Sequence, residues 1–236
     1  MHMTKQSHAF AGLALILAAL CLAPASGNDL PTAPKPIPDA SIRFEQNATD
    51  GDVEVVFELT GPDEGLTQLT VVAPDGRTIV DFTVPDAKKY GIREFVFESP
   101  EPEDVEGLKA AYPAGEYTFQ GMNTAGVKLR STARLSHELP ATVSFLQPTP
   151  RARGVDSQNL EITWTPVENV AGYVIELEQS KLDVKLTSKQ PASMARFAVP
   201  NGLLAPGVKY QLGIGTVSAD GNISFVETSF TTASDE

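Results

Sequence analysis

The chain has 236 residues, of which 42% are hydrophobic and 20% are charged, as in an ordinary globular protein. Its 18 lysines and arginines are outnumbered by 30 aspartates and glutamates, which gives a formal net charge of −12 at pH 7. This acidity excludes nucleic acids and anionic membrane surfaces as natural partners, because both would repel the chain.

Residues 1–25 have the pattern of an export signal peptide. Lys5 provides a positive start, residues 9–22 form an apolar run, and residues 23–25 have the small-x-small pattern that signal peptidases recognise. We therefore predict export to the periplasm or the extracellular space, with a mature chain that begins near Ser26 and has no membrane span. The alternatives are an uncleaved anchor and a lipidated N-terminus.

Removal of the signal peptide changes the inventory of reactive side chains. Cys21, the residue that lipidation would use, leaves with it, and the mature chain keeps one histidine, His137. Disulfides, zinc sites built on cysteine and histidine, and cysteine nucleophiles are then excluded, and a serine triad would have only His137 as its base. We predict that the protein is not an enzyme. With 17 basic and 30 acidic residues left, the mature net charge is 17 minus 30, or −13.

A proline-rich segment follows at residues 26–40. It holds four prolines and few apolar side chains, a composition that favours an extended, semi-rigid linker. A disordered leader left by cleavage is the alternative.

Residues 41–138 are predicted to form a β-sandwich domain, because short runs of alternating apolar and polar residues are separated by Gly, Pro, Asp or Asn. The predicted strands are 53–59, 69–72, 79–84, 92–97, 116–122 and 127–135, with one helix at 104–111. Residues 136–141 are predicted to be a short hinge that contains His137.

Residues 142–232 are predicted to form a second sandwich. The predicted strands are 142–145, 159–165, 172–178, 184–187, 195–199, 208–217 and 223–231. Seven strands in about 90 residues suit two packed antiparallel sheets.

Two features of this second half resemble a fibronectin type III domain. Trp164 resembles the core tryptophan of that family, and residues 204–210, which end at Tyr210, resemble its tyrosine corner. The resemblance implies that the Tyr210 hydroxyl bonds back to the preceding connection. The family serves as spacer, adhesion surface and enzyme appendage, so the resemblance implies a fold more than a function.

Three segments of the first half, residues 45–52, 97–102 and 112–117, resemble a family of exported bacterial proteins of uncharacterised function. That family pairs such a β-domain with a fibronectin type III domain. Together the resemblances imply an all-β fold made of two tandem immunoglobulin-like β-sandwiches. The glycan acceptor patterns at Asn47 and Asn222 would have no use in a bacterial host.

The sharpest candidate for ion binding is the turn that contains Asn47, Asp50 and Asp52, just after Glu45. Calcium prefers six to eight oxygen ligands, and carboxylates and an amide around Gly51 supply several. We predict a calcium site at Asn47, Asp50 and Asp52, with no other cofactor. The alternative is a plain turn in which Gly51 provides a positive φ.

A second acidic cluster surrounds the prolines at 100 and 102. Its members are Glu94, Glu98, Glu101, Glu103, Asp104 and Glu106. If this loop folds beside Asp50 and Asp52, the two groups would complete one cation site; a solvated acidic loop is the alternative.

The function that we predict is that of a non-catalytic, exported binding, adhesion or scaffold protein. Its partner would be another protein of the cell envelope or the extracellular space. The alternative is an accessory module or a carboxylate-based hydrolase that acts on extracellular polymers, since two carboxylates suffice as acid and base.

Overall fold

The structure is a computed structural model of the chain, and it describes residues 33–102 and 104–234. The predicted signal peptide, residues 26–32 of the predicted linker, Glu103 and residues 235–236 lie outside the described residues. Within these ranges the fold is all-β apart from one short α-helix and one 3-10 turn, so the predicted fold class is confirmed.

The first half forms two facing sheets. Its elements are β1 (Asp39–Asn47), β2 (Asp52–Thr60), β3 (Leu66–Val72), β4 (Thr78–Thr83), β5 (Glu94–Glu98), α1 (Val105–Ala111), β6 (Gly115–Asn123) and β7 (Lys128–Leu135). Strands β1, β2 and β5 form one sheet, and the other has the order β4-β3-β6-β7. The core between the two sheets is filled by fully buried side chains such as Phe44, Tyr117 and Phe119.

Residues 33–38, the described end of the predicted linker, lie against this first sandwich. The Lys35 amide donates to the Lys128 carbonyl at 3.0 Å, and the Arg130 amide donates to the Lys35 carbonyl at 2.8 Å. Ile37 is 4% exposed and belongs to the core. The structure therefore differs from the prediction for these residues, because Ile37 has an apolar surface to bury and anchors the segment.

The second half has the strand order expected for a fibronectin type III domain. Its strands are β8 (Phe145–Gln147), β9 (Arg153–Val155), β10 (Glu161–Trp164), β11 (Gly172–Gln179), β12 (Val184–Pro191), β13 (Arg196–Ala198), β14 (Lys209–Val217) and β15 (Ile223–Thr232). Strands β13-β10-β8 form one sheet, and β12-β11-β14-β15 face it, with β9 added alongside β15. Six of the seven predicted strands are present with small shifts at their ends, whereas the predicted strand 142–145 overlaps β8 only at Phe145, and β9 is additional.

The two residues that carried the family resemblance occupy the places that it implies. Trp164 is 1% exposed in the core, with its ring 5.3 Å from that of Tyr173. The Tyr210 hydroxyl accepts a hydrogen bond from the Ala205 amide at 2.8 Å and thereby ties the β14 strand to the connection before it. Both positions are fixed by the alternation of their strands, which places each large ring on the core face.

The two sandwiches share one sheet. The end of β1 pairs in parallel with the start of β15, so that Glu45 lies opposite Ile223 and Asn47 lies opposite Phe225. This pairing gives a continuous strand order β12-β11-β14-β15-β1-β2-β5 through both halves. We call this the shared sheet, and the side that faces away from both cores its outer face.

A buried asparagine locks the junction. Asn222 is fully buried; its Oδ1 accepts from the Phe44 amide at 2.8 Å, and its Nδ2 donates to the Ser136 Oγ at 2.8 Å and the Glu138 carbonyl at 3.0 Å. His137, between these two residues, has its Nε2 2.9 Å from the Tyr112 carbonyl oxygen. Residues 136–138, the start of the predicted hinge, are therefore held in place on both sides. Because Asn222 is buried, its side chain is not accessible for attachment of a glycan.

Candidate functional site

The outer face of the shared sheet carries a line of glutamates that crosses the junction. Glu45 of β1 lies opposite Glu54 of β2. Glu176 of β11 and Glu227 of β15 flank Gly213 of β14, which has no side chain to separate them. We call Glu45, Glu54, Glu98, Glu176 and Glu227 the acidic row. Four of them, with Asp52, line a depression of about 180 Å³ at the junction.

The proximity of these carboxyl groups changes their acidity. Burial, and then the charges of Glu98, Glu45 and Asp52, raises the pKa of Glu54 to about 7. Burial has the largest effect on Glu176 and raises its pKa, and the charges of Glu178, Glu45 and Glu227 raise that pKa further. The row therefore gains negative charge as the pH rises through the neutral range.

A cleft opens beside the acidic row, where β1 and β15 separate. Their pairing covers only Glu45–Asn47, because β15 begins at Ile223, so residues 41–43 have no partner in β15. The resulting cavity of about 340 Å³ is walled by both sandwiches, and we call it the junction cleft. Its lining includes Ser41, Ile42, Arg43 and Glu58 from the first half and Tyr173, Val174, Lys189, Gln190, Asp220 and Ile223 from the second.

The junction cleft combines an apolar floor with a charged rim. Val174 and Ile223, whose side chains are on the outer face, are largely buried and supply the floor. On the rim, the guanidinium of Arg43 lies 2.7 Å from a Glu45 carboxylate oxygen and 2.9 Å from one of Glu58. Two carboxylates thus fix the direction of the Arg43 side chain, which leaves the cleft with a defined shape.

The predicted calcium residues form the turn between β1 and β2. The Gly51 amide donates to the Asn47 carbonyl at 2.8 Å, with φ of +90° at Gly51. The side-chain oxygens are used within the turn: Asn47 Oδ1 accepts from the Thr49 amide at 3.0 Å, and Asp50 Oδ1 accepts from the Asp52 amide at 3.1 Å. The geometry is that of a tight turn, which is the alternative that the sequence left open.

The second acidic cluster is divided by the structure. Glu101 and Asp104 share a depression of about 400 Å³ with Asp50 and Asp52, so the loop does fold beside that turn. Asp104, however, caps α1 by accepting from the Gly107 amide at 2.6 Å. Glu94 and Glu98 lie on β5, Glu106 pairs with Lys109, and Glu103 lies outside the described residues.

Across residues 33–102 and 104–234, no three His, Cys, Asp or Glu side chains are grouped so that they could hold a metal ion. Calcium binding by Asn47, Asp50 and Asp52 therefore stays a prediction. In the same ranges, no helix is both long enough and apolar enough to cross a membrane.

Sequence reasoning missed the most organised part of the site. The alternation of β2 places Glu54 on the solvent side, but it gives no sign that Glu176 and Glu227 lie near it. The only local signal was the glutamate content of each strand, since the β1–β15 pairing joins positions 178 residues apart.

No protein-family model matches the chain, and no curated protein matches it either. Among solved structures, a segment of two fibronectin type III domains from chicken tenascin has 17% identity and a TM-score of 0.32, and covers 84% of this chain and 99% of its own. Fibronectin(III)-like modules of Clostridium thermocellum CbhA have 11% identity and a TM-score of 0.34, with 84% and 92% covered. The FN1-FN3 domains of chicken CNTN1 have 13% identity and a TM-score of 0.32, with 85% and 69% covered. Likeness at these scores adds nothing on function.

Proposed function

We propose that this chain is an exported, non-catalytic binding protein that holds another protein of the cell envelope or the extracellular space, as an adhesion or scaffold component. The observation that carries the proposal is the junction cleft, a concave surface of about 340 Å³ to which both sandwiches contribute walls. Concave sites with an apolar floor and a few placed polar groups are where proteins bind ligands.

The chemistry of the cleft and its surroundings indicates the kind of partner. An apolar floor at Val174 and Ile223 suits an apolar anchor side chain, and the rim charges of Arg43 and Lys189 suit polar contacts around it. The neighbouring acidic row favours basic residues beside that anchor. We therefore propose a protein segment with an apolar residue flanked by lysine or arginine.

The shared sheet supports a binding role because it fixes the cleft before a partner arrives. The cleft walls belong to strands of one sheet, and Asn222 ties Phe44 of the first half to the turn that precedes β15. A site that is already rigid loses less conformational entropy on binding. This preorganisation supports specific binding by a small surface.

Binding is tested by filling the cleft. The purified exported protein is immobilised, envelope extract is passed over it, and the captured protein is titrated by calorimetry against wild type and Ser41→Trp. We expect Ser41→Trp to weaken binding at least tenfold, because Ser41 lines the cleft and a tryptophan would occupy it. The matched control is Thr118→Trp on β6, away from the cleft. Equal affinity for both variants would place the binding surface elsewhere.

The absence of catalysis and the export are tested separately. Broad hydrolase substrates should give no turnover; turnover that is abolished by Glu54→Gln would support the carboxylate-based hydrolase instead. Expression with the native N-terminus in a bacterium should yield a periplasmic or secreted chain, and its intact mass should be that of a chain that begins at Ser26. A product that retains residues 1–25 would show that the signal is not cleaved.

A further inference from the structure

The two ends of the shared sheet carry opposite charges. In the described chain, β12 at one end and β5 at the other each pair with a neighbour on one side only. On the outer face, β12 presents Lys185 and Lys189, while β5 presents Glu94 and Glu98. An unpaired strand edge is a template for another strand, and opposite charges across a strand pair are stabilising.

The exposed side chains at the two edges match in spacing. Lys185, Thr187 and Lys189 are all exposed, and the residues between them face the core side. Glu94, Val96 and Glu98 are likewise exposed, and Val96, at 62%, is strongly so for a large apolar residue. Each edge therefore shows charge, uncharged residue and charge at every second position.

The strand directions are also compatible. Following the sheet from β12 to β5, every neighbouring pair is antiparallel except the parallel pair β15 and β1. Strands β12 and β5 therefore run in opposite directions. A second copy in the same orientation would place its β12 antiparallel to β5 of the first, with the outer faces on one side. Glu94 then meets Lys189, Val96 meets Thr187, and Glu98 meets Lys185.

We propose that copies of this chain associate head to tail through β5 of one copy and β12 of the next, which extends the shared sheet from copy to copy. Pairing of two identical edges is disfavoured, because it sets lysines against lysines or glutamates against glutamates. The contact therefore joins two different surfaces, and it continues into open chains unless its rotation closes a ring.

Exposed apolar side chains flank both edges. Tyr90 and Ile92, which precede β5, are 54% and 38% exposed; Leu182, which precedes β12, is 49% exposed, and Met194, which follows it, is 37% exposed. In the antiparallel arrangement the segment before β5 lies next to the segment after β12. Apolar contact between these segments would add to the backbone and charge interactions.

The assembly is tested by charge reversal at one edge at a time. Sedimentation velocity of the wild-type exported chain, up to about 1 mM, should show concentration-dependent association, since a Kd of about 1 mM corresponds to about −4 kcal/mol. Lys185→Glu with Lys189→Glu makes both edges acidic, and Glu94→Lys with Glu98→Lys makes both basic. Each double variant alone should stay monomeric, and an equimolar mixture should associate again, because every contact regains opposite charges.

Two controls make the result decisive. Lys128→Glu with Lys209→Glu changes the net charge as much as the β12 reversal does but lies on other strands, and it should associate like wild type. Melting curves confirm that each variant is folded. A wild type that stays monomeric to about 1 mM, a reversal variant that associates alone, or a mixture that fails to recover would each overturn the proposal.

A cysteine pair tests which strands meet. Val96→Cys and Thr187→Cys are placed in separate proteins, each with Cys21→Ser, and mixed under mild oxidation. We expect a disulfide-linked heterodimer from the mixture and few homodimers from either protein alone. Homodimers as abundant as the heterodimer would contradict the head-to-tail contact. Lys189 belongs both to the β12 edge and to the rim of the junction cleft, but Ser41 lies on β1, an inner strand of the shared sheet. Ser41→Trp should therefore leave this association unchanged.

Discussion

Replacement of Asn222 by alanine should weaken the junction between the two sandwiches more than any other single side-chain truncation outside the cores. The Asn222 amide accepts from the Phe44 amide and donates to the Glu138 carbonyl and to Ser136. These contacts reach β1 and the connection between the sandwiches from a residue that is itself fully buried. Alanine removes all of them and changes nothing in either core.

The expected cost follows from the groups that are left without partners. The Phe44 amide and the Glu138 carbonyl would each lose a hydrogen bond at a buried site, and each such loss costs about 1–3 kcal/mol. The Ser136 hydroxyl and carbonyl oxygens also lose Asn222 as a donor, but the hydroxyl can rotate toward another donor, so we assign Ser136 less. The two losses sum to a decrease of about 2–6 kcal/mol in the free energy of unfolding, a large part of the 5–15 kcal/mol that is typical of a domain.

Urea unfolding with two probes measures this effect. Trp164 is the single tryptophan of the chain, and it is buried in the second core, so its fluorescence reports the second sandwich. Far-ultraviolet circular dichroism reports the strands of both. The two transitions should coincide in wild type because the sheet is shared, whereas in Asn222→Ala they should separate and begin at lower urea.

Asn201→Ala is the matched control. Asn201 also uses its side chain, accepting from the Asn159 amide at 3.0 Å, but it is exposed. Its loss should cost less than about 1 kcal/mol, because water replaces the partner. The reasoning fails if the two alanine variants lose the same stability, or if Asn222→Ala unfolds with coincident probes and within about 1 kcal/mol of wild type.

Three further predictions concern single features. Tyr210→Phe should cost about 1–2 kcal/mol in urea unfolding because the Ala205 amide loses its partner; a cost near zero would contradict a stabilising tyrosine corner. Burial and neighbouring carboxylates raise the pKa of Glu54 to about 7, so the stability linked to its neutral form is complete at acid pH, below the ordinary pKa of 4.5, and is lost as the pH rises through 7. Glu54→Gln should therefore be more stable to thermal unfolding than wild type at pH 8, by up to about 1 kcal/mol because the group is partly exposed, and equally stable at pH 4. An equal difference at both pH values would refute this. If Asn47, Asp50 and Asp52 bind calcium, the ion at a hundredfold excess over Kd should stabilise the protein by about 2.7 kcal/mol relative to a sample with chelator. The Asp50→Asn variant should show no such stabilisation. Unchanged melting of the wild type would contradict calcium binding at these residues.

Most strands were predictable because one face of each is buried. In β14, for example, Tyr210, Leu212 and Ile214 alternate with residues that face outward, and period-2 spacing is the strongest signal that a sequence gives for such strands. The same spacing exists in β1, where Ile42 and Phe44 are buried, although the prediction treated the end of this strand as part of a metal-binding motif. Strand β9 has only three residues and no alternation.

The junction could not be predicted from local patterns. The parallel pairing of Glu45 with Ile223 depends on the packing of both sandwiches, and no motif marks either residue as a partner of the other. Asn222 looks like an ordinary turn residue in the sequence, since polar residues are common between strands. Its role becomes visible only when Phe44, Ser136 and Glu138 are brought around it by the fold.

The acidic row links the stability of the protein to its proposed binding. The β1–β15 pairing brings Glu45 near Glu176 and Glu227, and their mutual repulsion opposes the contact that joins the two halves. A partner that places lysine or arginine on this row would relieve that repulsion and so bind more tightly where the row is more negative. As the pH rises from 5 to 8, Glu54 ionises; the free protein should then become less stable while its affinity for the partner increases. Titration calorimetry at both pH values, with Glu54→Gln as the comparison, measures this opposition directly. An affinity that falls between pH 5 and 8 in wild type, or that changes as much in Glu54→Gln, would show that the partner does not use the acidic row.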